Sequence, residues 1–307
     1  ILQISIASSS LIAVPLIEAI LESDHSLASV ITTPDRKSGR GQSEKETELS
    51  RWCSERGIEV AKPADNVALN QHLLSVQPQL VITASYGRLI PVELLHGPRF
   101  GWLNVHFSLL PRWRGAAPVQ WALMEGDLTT GISIFKLDKG MDTGPIYHQE
   151  EIAIQESDTT ETLLASLSLI AGHRIIDVVE DIRKGVRPKA QPLIGVTMAP
   201  KISKEDARIN WDAPYIQSLR KIRAIGVRPG AWTTFRGERV AIHSLSLSHE
   251  GMHGGKPGEL QVSSGKLLVV SRDTTLEVVE LTPAGKKKMS GSDFSRGARI
   301  QAGEKFI

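Results

Sequence analysis

The sequence of 307 residues contains one cysteine, Cys53, and no cluster of Cys and His residues at the spacing of a metal site. A single cysteine excludes an internal disulfide framework and fits a reducing compartment. Without the metal-binding spacing we expect no zinc. We interpret Cys53 as an ordinary helical residue, so the chemistry is left to other side chains.

The sequence also lacks the glycine fingerprint Gly-x-Gly-x-x-Gly, which argues against a nicotinamide dinucleotide. The apolar opening, residues 1–21, has no basic leading segment and contains Glu18, so it fits a strand, a turn and a helix better than a targeting signal. We expect that no later run combines the length and apolar character of a membrane span. We therefore expect a cytoplasmic protein without membrane contact.

Alternating strand and helix patterns predict a doubly wound, Rossmann-like α/β domain with a parallel sheet over residues 1–187. Residues 188–204 contain three prolines and are the expected linker. Residues 205–307 follow as a smaller domain with five short β patterns separated by glycine turns, which is typical of an OB-like β barrel. Strands are expected at residues 2–7, 27–32, 79–84, 102–105, 131–137, 231–235, 239–247, 258–262, 266–271 and 275–281.

Basic and acidic residues are unevenly distributed along the chain. Residues 1–200 hold 18 basic and 23 acidic residues, whereas residues 201–307 hold 18 basic and 11 acidic residues. A basic C-terminal third favours a polyanionic partner, because lysine and arginine gain affinity by displacing phosphate counterions. A solvated basic surface is the alternative that charge alone leaves open.

The stretch from residue 101 to 144 carries the most chemistry. Asn104 and His106 lie two residues apart in a predicted strand and so share one face of it. An amide can donate to an oxyanion, an imidazole can move protons, and the later carboxylate of Asp142 can orient the imidazole. These residue types fit acyl transfer, although a buried structural histidine fits the same pattern.

The string Asn-Val-His-Phe-Ser-Leu-Leu-Pro-Arg-Trp-Arg-Gly-Ala-Ala-Pro at 104–118 resembles the signature of the formyltetrahydrofolate-dependent formyltransferases. Within that family the chain is most similar to the members that act on methionyl-tRNA. The resemblance implies that Asn104, His106 and Asp142 are catalytic. Two departures from the family pattern are Phe107, where many members have a small residue, and the Ser8-Ser9-Ser10 turn.

The resemblance also implies the cofactor, (6S)-10-formyltetrahydrofolate, and no metal. The motif after the strand at 79–84 resembles the family loop that holds the pterin ring, and the central signature supplies the rest of the wall. The folate-lining residues implied in this way are Tyr86, Gly87, Leu89, Ile90, Ser108, Leu109, Leu110 and Pro111.

The partner implied by the resemblance is charged initiator tRNA. The basic loop at residues 33–43 resembles the family segment that grips the acceptor stem, and a lysine run resembles the closing motif of the family. The implied tRNA-binding residues are Arg36, Lys37, Arg40, Lys201, Lys286, Lys287 and Lys288. By the same resemblance we expect a monomer.

The expected reaction is attack of the α-amino group of methionyl-tRNA on the formyl carbon. Asn104 and protonated His106 would hold the oxyanion, and His106 or a water would carry the proton to N10 of the folate. Four alternatives stay open at this point. They are formyl transfer to a small amine such as an amino sugar nucleotide, hydrolysis of the formylfolate, tRNA binding by a chain whose catalytic domain is inactive, and nicotinamide-dependent redox chemistry.

Overall fold

The computed structural model describes residues 1–38, 43–226, 230–248 and 255–307. Its Cα positions divide into two compact units. The first contains Ile1–Pro118, Thr129–Ile154 and Thr162–Pro200. The second contains Val119–Leu128, Gln155–Glu161 and Lys201–Ile307. Residues 188–200, within the expected linker, therefore cluster with the first unit.

The first unit is organised on a seven-stranded sheet in the order β5-β2-β1-β6-β7-β8-β9. The first five of these strands are parallel, and β8 and β9 run antiparallel to their neighbours. A short hairpin of β3 and β4 lies outside this sheet. In chain order the strands are β1 (Gln3–Ala7), β2 (Ser26–Ile31), β3 (Arg36–Ser38), β4 (Ser43–Lys45), β5 (Val60–Ala61), β6 (Leu80–Thr83), β7 (Trp102–His106), β8 (Thr129–Lys136) and β9 (Ile146–Ala153).

The central strands are short apolar runs that are covered on both faces. All four residues of β6 are buried, and Ile4 and Ile6 of β1 are fully inaccessible. Such runs are typical of parallel strands between two layers of helices. The predicted doubly wound α/β class is thus confirmed, with the addition of an antiparallel edge that the pattern of single strands does not specify.

The helices up to residue 183 follow the predicted alternation with strands, except that the short α4 was not predicted. They are α1 (Val14–Leu21, preceded by a 3₁₀ turn at Leu11–Ala13), α2 (Glu48–Ser54), α3 (Asn66–Val76), α4 (Val92–Leu95), α5 (Pro118–Glu125) and α6 (Thr160–Arg183). Local chemistry fixes their ends. In α3, for example, the Asp65 carboxylate accepts a hydrogen bond from Ala68 N at 2.8 Å, and Gln77 ends the helix in a left-handed conformation.

Helix α6 corrects the expectation that no run suits a membrane by length and composition. It has 24 residues, and an 18-residue window within it has a mean hydropathy of 1.5, which is long and apolar enough to cross a membrane by length and composition. One side of the helix is nevertheless core, since Leu163, Leu167 and Ile175 are at most 1% exposed. A core helix passes the same compositional test, and the repeat of buried residues four apart is that of a helix packed on one face.

The second unit contains the helix α7 (Tyr215–Ile225) and an antiparallel sheet in the order β10-β11-β14-β13-β12, with β15 paired to β14. All five predicted strand patterns form strands, and the helix α8 after residue 290 is an element that the sequence did not indicate. These elements are β10 (Ala231–Phe235), β11 (Glu238–Leu247), β12 (Leu260–Ser263), β13 (Lys266–Val270), β14 (Thr275–Pro283), β15 (Met289–Ser290) and α8 (Gly291–Ala298).

Residues 304–307 connect the two edges of this second sheet. On one side Ile307 and Thr234 of β10 exchange two backbone hydrogen bonds of 2.9 and 3.0 Å. On the other side Phe306 N donates to Gly258 O, and Leu260 N of β12 donates to Glu304 O, both at 2.8 Å. The Phe306 ring is 1% exposed and stacks on Trp211 at 5.8 Å. The smaller β domain predicted from the sequence is therefore present, and its sheet closes through this last segment.

Candidate active site

Asn104 and His106 lie at the carboxyl end of β7, between β6 and β8 in the sheet. In open α/β sheets this end of the strands is where ligands bind. His106 is 5% exposed, and Asn104 is partly exposed. The hydroxyl of Thr83, the last residue of β6, lies 2.9 Å from Asn104 Oδ1 and 3.1 Å from the Leu103 carbonyl. Pairing of the two strands thus fixes the amide.

Two acceptors face the His106 ring. The Trp113 carbonyl lies 2.8 Å from Nε2, and Asp142 Oδ2 lies 3.7 Å from Nδ1. A carbonyl oxygen only accepts, so Nε2 carries the proton in this contact. Nδ1 is then the nitrogen that can gain or lose a proton while the Trp113 bond stays intact.

Burial of the imidazole lowers the pKa of His106 from its ordinary value of 6.5, while the Asp142 carboxylate and the Trp113 carbonyl act in the opposite direction. Burial is the largest of these effects, so the resting ring is neutral at pH 7. The Asp142 carboxylate then favours the imidazolium whenever Nδ1 takes a proton. This is the electrostatic arrangement of a general base rather than of a permanently charged donor.

Asp142 is held in a strained loop between β8 and β9. Its φ is 52°, and its Oδ2 accepts a hydrogen bond from Gly115 N at 2.8 Å. Gly115 itself has a φ of 124°, and a Cβ built there would lie 2.6 Å from the Ala199 carbonyl oxygen. Only glycine fits this position without a backbone shift. The loop after β7 and the loop after β8 therefore meet at one hydrogen bond beside His106.

The residues expected to line folate occupy two kinds of position. Tyr86 is 4% exposed and belongs to the hydrophobic core with Trp102, and burial raises the pKa of its hydroxyl. Gly87 has a φ of 74°, and Leu89 is 88% exposed, while Ile90 is half-buried. The side chain of Tyr86 is thus a packing element, whereas the side chain of Leu89 is an exposed apolar surface.

The second part of the expected folate wall is anchored by a buried polar network. Ser108 Oγ donates to the Arg112 carbonyl at 2.6 Å, and Leu110 N donates to Ser133 Oγ at 3.0 Å. Gln149 Nε2 donates to the Leu110 carbonyl at 2.9 Å. Leu110 and Pro111 are buried, and Leu109 is partly exposed. The segment is therefore rigidly placed next to the end of β7.

The expected tRNA-binding cations fall in both units. Arg36 and Lys37 belong by their backbones to β3, so part of the predicted basic loop is a hairpin, whereas their side chains and Arg40 lie outside the described residues. Lys201 is exposed. In the second unit Lys286, Lys287 and Lys288 are exposed in the turn between β14 and β15, and Lys288 forms an ion pair of 2.7 Å with Glu280.

Sequence reasoning missed three side chains that complete this site. Thr83 could have been found, because it ends a buried strand at the edge where ligands bind. Gln191 and Thr197 lie in the stretch whose prolines suggested a linker, and no local pattern marks them. Gln191 Nε2 donates to the Asp142 carbonyl at 2.8 Å, and the Thr197 hydroxyl accepts from Trp113 N at 2.9 Å. Both contacts are long-range, so they become visible only in the fold.

Both units of the chain match models of known protein families. Residues 2–179 match the family model described as Formyl transferase, and residues 201–299 match the one described as Formyl transferase, C-terminal domain. A methionyl-tRNA formyltransferase of Salinispora tropica is 40% identical over 307 residues, which is 99% of each chain.

Two solved structures share the fold at low identity. HypX from Aquifex aeolicus in complex with tetrahydrofolic acid has a TM-score of 0.65 and 18% identity over 96% of this chain and 47% of that one. A methionyl-tRNA formyltransferase from Clostridium thermocellum has a TM-score of 0.59 and 19% identity over 81% of this chain and 95% of that one.

Proposed function

Because this chain belongs to the formyl transferase family, we propose that it transfers a formyl group from 10-formyltetrahydrofolate to the α-amino group of methionyl-initiator tRNA. The product is formylmethionyl-tRNA for translation initiation. The observation that carries this assignment is the 40% identity to a methionyl-tRNA formyltransferase across 99% of both chains. The site in the first unit then supplies a physical route for the reaction.

The formyl donor is a folate, as the family and the tetrahydrofolate-bound HypX structure support. We place the pterin ring against the segment after β6, where Gly87 offers open backbone and Leu89 is 88% exposed. Tyr86 contributes through its backbone, since its side chain is in the core. The Ser108–Pro111 segment forms the opposite wall, and the N10-formyl group then lies near the end of β7.

Asn104 is the oxyanion donor in this proposal. When the amine attacks, a carbon–nitrogen bond forms and the formyl oxygen gains a negative charge. The Thr83 hydroxyl lies against Asn104 Oδ1, so Nδ2 is the amide atom that donates to that oxygen. A fixed donor at a developing oxyanion is typically worth about 3 kcal/mol of transition-state stabilisation.

His106 moves the proton. Its neutral ring accepts the proton of the attacking amine at Nδ1, while Nε2 stays bonded to the Trp113 carbonyl. The Asp142 carboxylate at 3.7 Å stabilises the imidazolium that forms. Return of this proton to N10 of the folate accompanies breakage of the N10–formyl bond. The lowered pKa of His106 therefore favours the base role over the protonated oxyanion donor expected from the sequence.

In this proposal tRNA is held by exposed cations that take no part in the chemistry. The exposed lysines 286 and 287 contact backbone phosphates, and Lys201, Arg36, Lys37 and Arg40 contribute in the same way. Acting on translation components, the enzyme works in the cytoplasm as a monomer. Lys288 contributes less, because Glu280 already neutralises it.

The test uses purified protein with 10-formyltetrahydrofolate and four acceptors: methionyl-initiator tRNA, methionyl-elongator tRNA, free methionine and an amino sugar nucleotide. Formylation of the initiator tRNA alone is the expected result. Formylation of the sugar nucleotide instead would establish the small-amine alternative. Loss of the formyl group to water with every acceptor would establish a hydrolase.

A further inference from the structure

Residues 189–199 form a brace against both loops that supply the acceptors of His106. Lys189 pairs with Ile146 at the start of β9 through backbone hydrogen bonds of 2.7 and 2.8 Å. Further along, Arg114 N donates to the Thr197 carbonyl at 2.9 Å, and Ala199 N donates to the Arg114 carbonyl at 2.7 Å. A segment that the sequence marks as a linker is thus bonded into the site.

Gln191 is the residue of this brace that reaches the Asp142 loop. Its Nε2 donates to the backbone carbonyls of Asp142 and Gly144, both at 2.8 Å. Its Oε1 accepts from the Arg114 guanidinium at 2.7 Å from Nη2 and 3.2 Å from Nε. The side chain is 9% exposed, and both polar atoms are used. One amide therefore joins the loop after β7 to the loop after β8.

The second contact of the brace fixes the other acceptor. The Thr197 hydroxyl accepts a hydrogen bond from Trp113 N at 2.9 Å. Trp113 has a φ of 64°, an unusual value for a bulky residue, and its carbonyl is the group that bonds His106 Nε2. Surrounding bonds are what maintain such a conformation. The brace thus holds the backbone on both sides of the imidazole.

We propose that Gln191 is a positioning residue of the formyl-transfer site, which holds Asp142 at the distance from which its carboxylate stabilises the protonated form of His106. The inference rests on the function proposed above. Asp142 has a left-handed backbone at the turn of a glycine-rich loop, and Gln191 bonds the carbonyl of that residue itself. Without the amide, the loop loses its connection to Arg114 and the carboxylate can move away from the ring.

The experiment compares Gln191→Ala and Gln191→Glu with the unmodified enzyme in the methionyl-tRNA assay. The glutamate keeps the volume and the acceptor for Arg114 but loses both donors to the carbonyls of Asp142 and Gly144. A misplacement of about 1 Å in a catalytic group costs up to about a hundredfold. We expect kcat to fall about ten- to a hundredfold in both variants, with KM for tRNA and for folate within about twofold.

The pH profile separates positioning from a merely structural role. Asp142 is the charged side chain that raises the pKa of His106 against the effect of burial. If the carboxylate moves away, the pKa of His106 falls further, and the acid limb of kcat moves to lower pH in Gln191→Ala. In Gln191→Glu the new carboxylate acts in the opposite direction, so that variant reports on kcat alone. A generally loosened fold would lower the thermal midpoint without moving that limb.

Gln79→Ala is the matched control. This glutamine also bonds a backbone group, Gln3 N, through its side-chain oxygen at 3.1 Å, but it precedes β6 at the amino ends of the strands. Its kcat and pH profile should equal those of the unmodified enzyme. A kcat within twofold of normal in the glutamate variant, or a loss of kcat in Gln191→Ala with an unmoved acid limb, would overturn the positioning role. An unmodified enzyme that fails to formylate any acceptor would overturn the proposed function instead.

Discussion

The two units hold their functional residues in opposite ways. In the first unit the chemical groups lie at strand ends and are held by hydrogen bonds to neighbouring segments. His106 Nε2 donates to the Trp113 carbonyl, and Asn104 Oδ1 accepts from the Thr83 hydroxyl. In the second unit Lys286 and Lys287 project from an exposed hairpin turn. Rate depends on geometry within tenths of an ångström, whereas attraction of a polyanion depends on charge near a surface. Substitutions in the two regions should therefore affect different constants.

The largest expected effect is at Asn104. Replacing it with alanine removes the oxyanion donor, and turnover should fall by more than a hundredfold, which corresponds to about 3 kcal/mol. KM for tRNA should change little, because the exposed lysines are untouched. Asn104→Asp is the informative companion, since it keeps the oxygen beside Thr83 but brings a negative charge to the oxyanion. Near-normal turnover in either variant would remove Asn104 from the chemistry.

The next effect separates the charge of Asp142 from its shape. Asp142→Asn keeps an acceptor for Gly115 N but removes the carboxylate that raises the pKa of His106. The pKa of His106 should fall, so the acid limb of kcat should move to lower pH while the plateau drops at least about tenfold. Asp138→Asn, in the same loop and bonded to Gly140 and Thr143, is the control without such a shift. Equal shifts in both variants would contradict the pairing of Asp142 with His106.

Alanine substitutions at one glycine in each unit test how tightly the two regions are packed. Gly115→Ala forces a Cβ to 2.6 Å from the Ala199 carbonyl at a φ of 124°, so both the free energy of unfolding and kcat should fall, the former by about 2 kcal/mol. Gly285→Ala, next to the exposed lysines, has a φ of 69° with open space around the position and should cost about 1 kcal/mol. Chemical denaturation of both variants measures the difference. Equal losses would mean that contact with Ala199 does not constrain the site.

The smallest effect is expected on the exposed surface. The double substitution Lys286→Glu and Lys287→Glu should raise KM for tRNA about tenfold and reduce the salt slope of log KM by about 1 to 2, with kcat unchanged. Lys184→Glu, an exposed lysine after α6, is the control for charge reversal at another exposed lysine. A salt slope equal to that of the unmodified enzyme would place the turn between β14 and β15 outside the tRNA interface.

Local chemistry explains which parts of the fold were predictable. The helix at Asn66–Val76 follows from its Asp65 cap, and the five strand patterns of the second unit follow from alternating apolar residues and glycine turns. β9 was missed because its sequence, Ile-Tyr-His-Gln-Glu-Glu-Ile-Ala, is mostly polar, as suits an edge strand. The reversed direction of β8 and the closure of the second sheet by residues 304–307 are long-range pairings that no local pattern encodes.

The candidate site divides in the same manner. The two-residue period of a strand predicted that Asn104 and His106 share one face, and family resemblance added Asp142. In the fold, Asp142 Oδ2 lies 3.7 Å from His106 Nδ1. The proton on His106 Nε2 is inferred from its contact with the carbonyl of Trp113, seven residues away. Trp113 has a left-handed backbone conformation, which sequence periodicity does not indicate. The brace at Gln191 and Thr197 depends on contacts across about eighty residues, such as that between Trp113 and Thr197.

The most direct measurement of the central claim is single-turnover formyl transfer from 10-formyltetrahydrofolate to methionyl-initiator tRNA, with the unmodified enzyme and His106→Ala each at saturating concentration. We predict formylmethionyl-tRNA from the unmodified enzyme and a rate more than about a hundredfold slower from His106→Ala, with tRNA affinity retained. Equal rates for the two proteins would contradict the assignment of the chemistry to the buried site.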